Sequence, residues 1–186
     1  MNPTATAPVV QYLSFFVAGE EYALSILQVR EIIEYDTVTR VPSAPVWVRG
    51  VTNLRGSVLP VIDLSLKLGF PPSSLHRRSC VVVVEVTFQG EKLVMGVMAD
   101  AVGQVLDLGP GDVEPPPAFG TPIHADYLLG MGRAGKKFIL LLDIDRVLNT
   151  QEIRAASAAA SEPQAPPSEP EPPSAEAGAS EPQVGG

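Results

Sequence analysis

Apolar residues run along this chain in short alternating or continuous stretches, separated by corners that carry glycine or proline. That is the pattern of a protein built from strands. Residues 11–17 and 21–24 read as two strands joined at Ala18-Gly19-Glu20, a hairpin. Residues 26–29 fit a helical turn, 31–35 a strand and 38–41 a short extended piece. Pro42 and Pro45 then interrupt regular structure. Strands follow at 47–54 and 57–62, and Asp63 is placed to cap a short helix over 64–68 that Gly69 stops. Residues 70–76 form a Pro/Ser linker, after which 79–88 and 92–98 make strands around Gln89-Gly90 and 102–108 makes another. Residues 109–122 are a loop whose Pro115-Pro116-Pro117 run is extended. The last hairpin joins 127–132 to 137–142 around Ala134-Gly135, and Asp143 caps a second short helix over 144–148.

The order repeats weakly. Phe15–Glu20, ending in Gly-Glu, compares with V-T-F-Q-G-E at 86–91, and each opens a hairpin. Later, G-S-V-L-P-V-I-D-L from Gly56 compares with G-K-K-F-I-L-L-L-D-I from Gly135: a glycine corner, an apolar strand, an Asp cap and a short helix. The spacing differs between the halves, Gly19 to Asp63 against Gly90 to Asp143. The reading is two related β-subdomains of about seventy residues, each small enough to need its neighbour for burial. The boundary falls near 69–78, with the termini free to exchange between the subdomains.

The ends differ from the middle. Residues 1–10 read as a flexible lead-in, since Pro3 and Pro8 oppose regular structure. Residues 11–149 carry the strand pattern and 150–186 do not. From Ala155 onward only Ala, Ser, Glu, Pro, Gln, Gly and Val occur, with seven prolines, so an acidic disordered tail is expected. That stretch holds five Glu and no basic residue, and without it the net charge of −8 falls to −3. No basic stripe remains to track phosphates, which argues against nucleic acid as a partner. A single cysteine, Cys80, permits no internal disulfide and opens an apolar run, the setting of a buried strand residue. The first residues lack the basic start of a signal peptide, and no apolar run approaches the ~20 residues that span a bilayer. A soluble, cytoplasmic protein without direct membrane insertion is expected.

Candidate chemistry is sparse. His76 lies in the linker and His124 in the long loop, neither with a Cys, Asp or His at metal-ligand spacing. Asp63, Asp143 and Asp145 sit at helix starts, where capping accounts for them. Gly130-Met131-Gly132 precedes a hairpin corner and not a helix, so it is no phosphate loop. Ser57 and Ser79 have no evident base. An enzyme, a cofactor site and a metal site are therefore not expected.

Residues 48–64, V-R-G-V-T-N-L-R-G-S-V-L-P-V-I-D-L, are more informative. Two apolar strands flank Asn53-Leu54-Arg55-Gly56, which presents a charged residue on a rigid corner, more a docking point than an active site. In an extended run Val29, Glu31 and Ile33 share one face, which sets an acidic group among apolar neighbours. Glu31 is then a partner for Arg55, or the two are unconnected solvated charges.

These residues carry a resemblance. V-R-E-I-I-E-Y at 29–35, V-P-S-A-P-V-W-V-R-G-V-T-N-L-R-G at 41–56 and S-V-L-P-V-I-D-L at 57–64 resemble the CheW family of chemotaxis coupling proteins. So do A-D-A-V-G-Q-V-L at 99–106, Y-L-L-G-M-G at 127–132 and L-L-L-D-I-D-R-V-L at 140–148, so the match covers residues 11–149. The resemblance implies an all-β fold with short helices, two intertwined SH3-like β-barrels, and no catalytic activity or cofactor. It implies an adaptor that bridges the cytoplasmic signalling tip of transmembrane chemoreceptors and the regulatory domain of the histidine kinase CheA, in the cytoplasm at membrane-bound receptor arrays. A scaffold of a different chemosensory route, for surface motility or gene regulation, is the alternative. By position, Glu31 and Arg55 match the family's charged pair, and Val29, Ile32, Gly50 and Asn53 lie in the matching blocks. Val58 and Leu59 follow the motif and add apolar contact. Which of these eight residues meets kinase and which meets receptor stays open. Gln104 departs from the family, where an acidic residue is common, and the Pro-rich tail is no part of the family core. With nothing after Asn149 expected to fold, neither the kinase itself nor a coupling protein with a phospho-receiver domain fits, and a free-standing coupling domain is expected.

Overall fold

A computed structural model describes residues 8–148 apart from 43, 119 and 122. The expected tail at 150–186 and most of the expected lead-in lie outside the described residues. Eleven strands follow the apolar runs: β1 (Val10–Val17), β2 (Glu20–Ser25), β3 (Val29–Glu34), β4 (Val48–Leu54), β5 (Ser57–Asp63), β6 (Cys80–Phe88), β7 (Glu91–Ala99), β8 (Ala101–Leu108), β9 (Val113–Glu114), β10 (Leu128–Ala134) and β11 (Lys137–Leu142). Two one-turn helices, α1 (Leu64–Lys67) and α2 (Ile144–Val147), follow β5 and β11. Each begins on the expected aspartate: Asp63 accepts from the Leu66 N–H and Asp143 from the Arg146 N–H. β1 starts one residue inside the expected lead-in, and β9 lies inside the expected 109–122 loop.

Four hairpins turn on two residues, and three of them, Ala18-Gly19, Arg55-Gly56 and Gln89-Gly90, share one geometry. In each pair both residues have positive φ, near 50° and then 83–90°. That geometry matches the right-handed twist of the strands it joins, and glycine takes the second place at no steric cost.

The strands form two sheets, in the orders β8-β1-β2-β11-β10-β9 and β3-β6-β7-β5-β4. The two halves of the chain follow the same plan in space. Each has a hairpin with a short helix after it (β4–β5–α1 and β10–β11–α2), and each has a second hairpin that joins the first in parallel (β7 on β5, β2 on β11). The hairpins are exchanged. β1–β2 pairs with the strands of the second half, and β6–β7 with those of the first. Residues 69–78, expected to divide the subdomains, therefore join α1 to β6 within one sheet. The chain crosses between sheets after β2 and again at Asp100, between β7 and β8.

The exchange divides the core into three. One cluster, Val61, Val81 and Met98, fills one side of the five-stranded sheet, with Ile33, Tyr35 and Val38 against it. A second, around Ala23, Leu106, Leu108, Ile139 and Leu141, fills the matching side of the six-stranded sheet. The largest lies between the sheets, where Phe15, Tyr22 and Leu24 meet Val82, Val84 and Val97. Because strand residues alternate, neighbours such as Val81 and Val82 serve different cores. This is why the β6 sequence, C-V-V-V-V-E-V-T-F, is almost continuously apolar.

Glycine sits at the same place in both halves. Gly50 and Gly130 each follow a register shift near the start of their strands. A Cβ on Gly130 would lie 2.5 Å from the Glu114 carbonyl oxygen, and one on Gly50 would strike the Thr39 carbonyl harder still. The segment lying over Gly50 is bound through paired bonds between Thr39 and Val51, at 2.7 and 2.8 Å.

Candidate partner-docking site

The β4–β5 corner sets the site. Leu54 and Ser57 are the last opposed pair, which leaves Arg55 and Gly56 to make the turn. Arg55 has φ of 52°, a left-handed conformation natural for glycine and strained for arginine. Asn53 Oδ1 accepts the Gly56 N–H at 2.9 Å. From this corner Arg55 Nη2 reaches Glu31 Oε2 on β3, 3.2 Å away. The β4–β5 hairpin and β3, at opposite edges of one sheet, are thereby brought together, so the sheet curls on itself. Arg55 leaves 81% of its side chain in solvent against 29% for Glu31. Such an exposed pair contributes only about 0–1 kcal/mol to stability, so its significance is as a presented charge.

The register of β3 corrects one expectation. Val29 lies opposite Val84 and Glu31 opposite Val83, so Arg30 is an extra residue bulged out of the ladder. Opposed residues point the same way and successive ones alternate. Val29 therefore packs on the core between the sheets, while Glu31 and Ile33 face the other side. Three residues expected on one face occupy two. The bulged Arg30 is exposed and pairs with Glu85, which Lys92 also reaches at 2.7 Å. No periodicity in the sequence marks that bulge.

The remaining expected residues separate by burial. Ile32 and Val58 are exposed, at 44% and 48%, and both belong to strands that flank the charged pair. Val58 stands opposite Asn53, two residues from Arg55. Leu59 is buried, opposite buried Thr52, and supplies core packing instead of the expected surface contact. Gly50 is also buried, and the approach of Thr39 accounts for it without a partner. The exposed group is therefore Ile32, Asn53, Arg55 and Val58, with Glu31 partly buried.

Behind the corner β5 ends in a buried carboxylate. Asp63 lies 2.9 Å from Arg49 Nε, off that group's N–H axis, and accepts from the Ser73 hydroxyl at 2.9 Å and the Ser73 N–H at 3.2 Å. Arg49 also donates to the Ser73 carbonyl. These bonds pin the 69–78 connection to the sheet that carries Arg55. Elsewhere, burial and then Asp100 push the Cys80 thiol up, so it stays protonated at neutral pH, as a strand cysteine should. Among the described residues no three His, Cys, Asp or Glu side chains gather as a metal site would need. No helix there is long and apolar enough to cross a membrane.

The model of the CheW-like domain matches residues 11–152. The chain belongs to the CheW family. It is 36% identical over 143 residues to the chemotaxis protein CheW of Klebsiella aerogenes, a match covering 77% of this chain and 84% of that one. A similar match, 32% over 146 residues, relates it to CheW of Rhizobium meliloti, covering 78% of this chain and 92% of that one. The scaffolding protein TtCheW from Thermoanaerobacter tengcongensis superposes with a TM-score of 0.68 at 28% identity, over 77% of this chain and 95% of that one. The architecture is thus the CheW one expected, all-β with two intertwined SH3-like barrels and two short helices. The CheW-family chain is a chemotaxis adaptor, a scaffold by family.

Proposed function

We propose that this CheW-family protein couples chemoreceptors to a CheA-type histidine kinase without catalysing a reaction, using the exposed surface around Arg55 and Glu31. The carrying observation is the β4–β5 corner. A solvent-facing guanidinium is held on a strained, two-residue turn and tethered to one carboxylate, while the strands that carry the pair also expose the apolar residues Ile32 and Val58. An exposed charge presented on a rigid strand corner suits a protein interface, where arginine is a frequent anchor. The kinase contact is to its regulatory domain and the receptor contact to the cytoplasmic signalling tip, at arrays on the cytoplasmic side of the membrane. Residues 11–149 act as the coupling domain, and 150–186 as a solvating spacer.

The test is a pull-down of the full chain and of Arg55→Glu against the kinase regulatory domain and a receptor signalling tip from the same cell. Charge reversal should weaken capture of at least one partner while the far-ultraviolet circular dichroism stays unchanged. Unaltered capture of both would remove Arg55 from the interface. A scaffold for a different chemosensory route draws support from FrzA of Myxococcus xanthus, 31% identical over 152 residues and covering 81% of this chain and 92% of that one, which is not named for chemotaxis. The same pull-down against each receptor–kinase set of the cell separates the two readings.

A further inference from the structure

Asn53 stands among the exposed residues of the site, two positions before Arg55, and its place in the motif makes it one more candidate for touching a partner. Its side chain is already engaged. In a hairpin that turns on Arg55 and Gly56, the strand ladder closes at Leu54 and Ser57, and the Gly56 N–H falls inside the turn, with no strand partner. Asn53 Oδ1 supplies one, at 2.9 Å.

The other two corners of that shared geometry give a comparison within the same molecule. Ala18-Gly19 and Gln89-Gly90 adopt the same pair of left-handed angles. The residues that correspond to Asn53 there are Phe16 and Thr87. Neither side chain holds the turn glycine among the described residues. Thr87 uses its own N–H on Asp145, and the first corner is tied through the Ala18 N–H to Asp100. Of these three corners, among the described residues, only the one that presents an exposed arginine is closed by an amide side chain. The Arg55 guanidinium has one carboxylate to orient it, at 3.2 Å, so the backbone beneath it is its other constraint.

We propose that Asn53 is a positioning residue for Arg55. It meets no partner itself, and it acts by locking the 55–56 corner in the left-handed geometry from which the guanidinium is presented beside Glu31. The inference rests on Arg55 being a docking contact and adds to that reading a division of labour inside the motif.

A double-mutant cycle tests it. The full chain, Asn53→Ala, Arg55→Ala and the double variant are titrated calorimetrically against the kinase regulatory domain and against a receptor signalling tip, and exchange of the Gly56 amide is followed by NMR. Arg55→Ala should weaken one partner at least tenfold. Asn53→Ala should weaken the same partner about three- to tenfold, as loss of one hydrogen bond predicts, and should speed Gly56 exchange. In the Arg55→Ala background, Asn53→Ala should change affinity less than twofold. Asn53→Ser, which keeps a short oxygen acceptor, should restore part of both the affinity and the protection of Gly56. An equal loss from Asn53→Ala in both backgrounds would make Asn53 a direct contact and overturn the proposal, as would Asn53→Ala that binds like the wild type. If Arg55→Ala itself binds normally to both partners, the docking reading fails, and the proposal fails with it by a distinct signature.

Discussion

Replacing Arg55 by glycine should separate docking from folding, because the two respond in opposite directions. Arg55 holds φ of 52°, where a residue with a Cβ is strained by about 1–2 kcal/mol and glycine is not. Glycine returns about 0.4–1 kcal/mol of that through the greater freedom of its unfolded chain. The ion pair to Glu31 is also lost, but with 81% of the arginine side chain in solvent it contributes a few tenths of a kcal/mol at most. The sum lies between about zero and 1.5 kcal/mol in favour of Arg55→Gly, or a melting temperature unchanged to about 5 °C higher for a chain of this size. Arg55→Ala keeps the Cβ in the left-handed region and should melt about 2–4 °C below Arg55→Gly. Differential scanning calorimetry on the three proteins, paired with titration against the kinase regulatory domain and the receptor tip, reads both effects. The expected outcome is a protein at least as stable as the wild type that docks poorly. A fall of more than about 5 °C in Arg55→Gly would refute the reasoning, because it would place Arg55 in the fold and not on display.

Gly50→Ala should be among the most damaging single methyl additions, since the new Cβ meets the Thr39 backbone and no side chain can swing away. A loss of about 3 kcal/mol or more in urea unfolding is expected, against little change for Gly111→Ala, where the space is open. Tyr22 is fully buried, its hydroxyl has no partner among the described residues, and burial followed by Glu20 pushes its pKa from 10.0 to about 12. Below pH 10 both states keep the proton. Between pH 10 and 12 the unfolded chain gives it up first, so stability falls as pH rises. Tyr22→Phe should raise stability at pH 7 by about 1 kcal/mol and flatten the alkaline fall, part of which remains because burial also raises Tyr35 and Cys80. Arg49→Leu should lower stability by about 2 kcal/mol or more by leaving the buried Asp63 carboxylate without a countercharge, measured by the same urea titration.

Local chemistry made much of this molecule legible from its residues. The aspartate caps at Asp63 and Asp143 and the corners at Gly19, Gly56 and Gly90 are decided within a few residues, and every strand but β9 overlaps the stretch whose pattern placed it. The pairing of Glu31 with Arg55 was one of two open readings, and the structure brings the two side chains together. What escaped the sequence depends on distant partners. A hairpin looks the same whether it joins its own half or the other, so no local pattern marks the exchange of β1–β2 and β6–β7, and it was the family resemblance that implied intertwined barrels. The run V-L-P-V-I at 58–62 is apolar at every position, so alternation could not tell exposed Val58 from buried Leu59. The extra residue at Arg30 turned Val29 away from Glu31, and only the register against β6 reveals it. β9 is two residues long, too short for any period to show.

The exchange of hairpins also sets an order of events on the ribosome. The five-stranded sheet is drawn from one continuous stretch, β3 to β7, and can close once Ala99 has been made. The β1–β2 hairpin is made before any of it, yet its partners β8 and β11 come last, the final one ending at Leu142. At about 5–20 residues per second, the nascent hairpin spends roughly 4–17 s with both edges unpaired, until β8 ends at Leu108, and roughly 6–25 s before β11 covers β2. Over that interval the first strands synthesised are the ones most open to capture by another chain, and a chaperone acting on this protein would find its earliest substrate in residues 10–25.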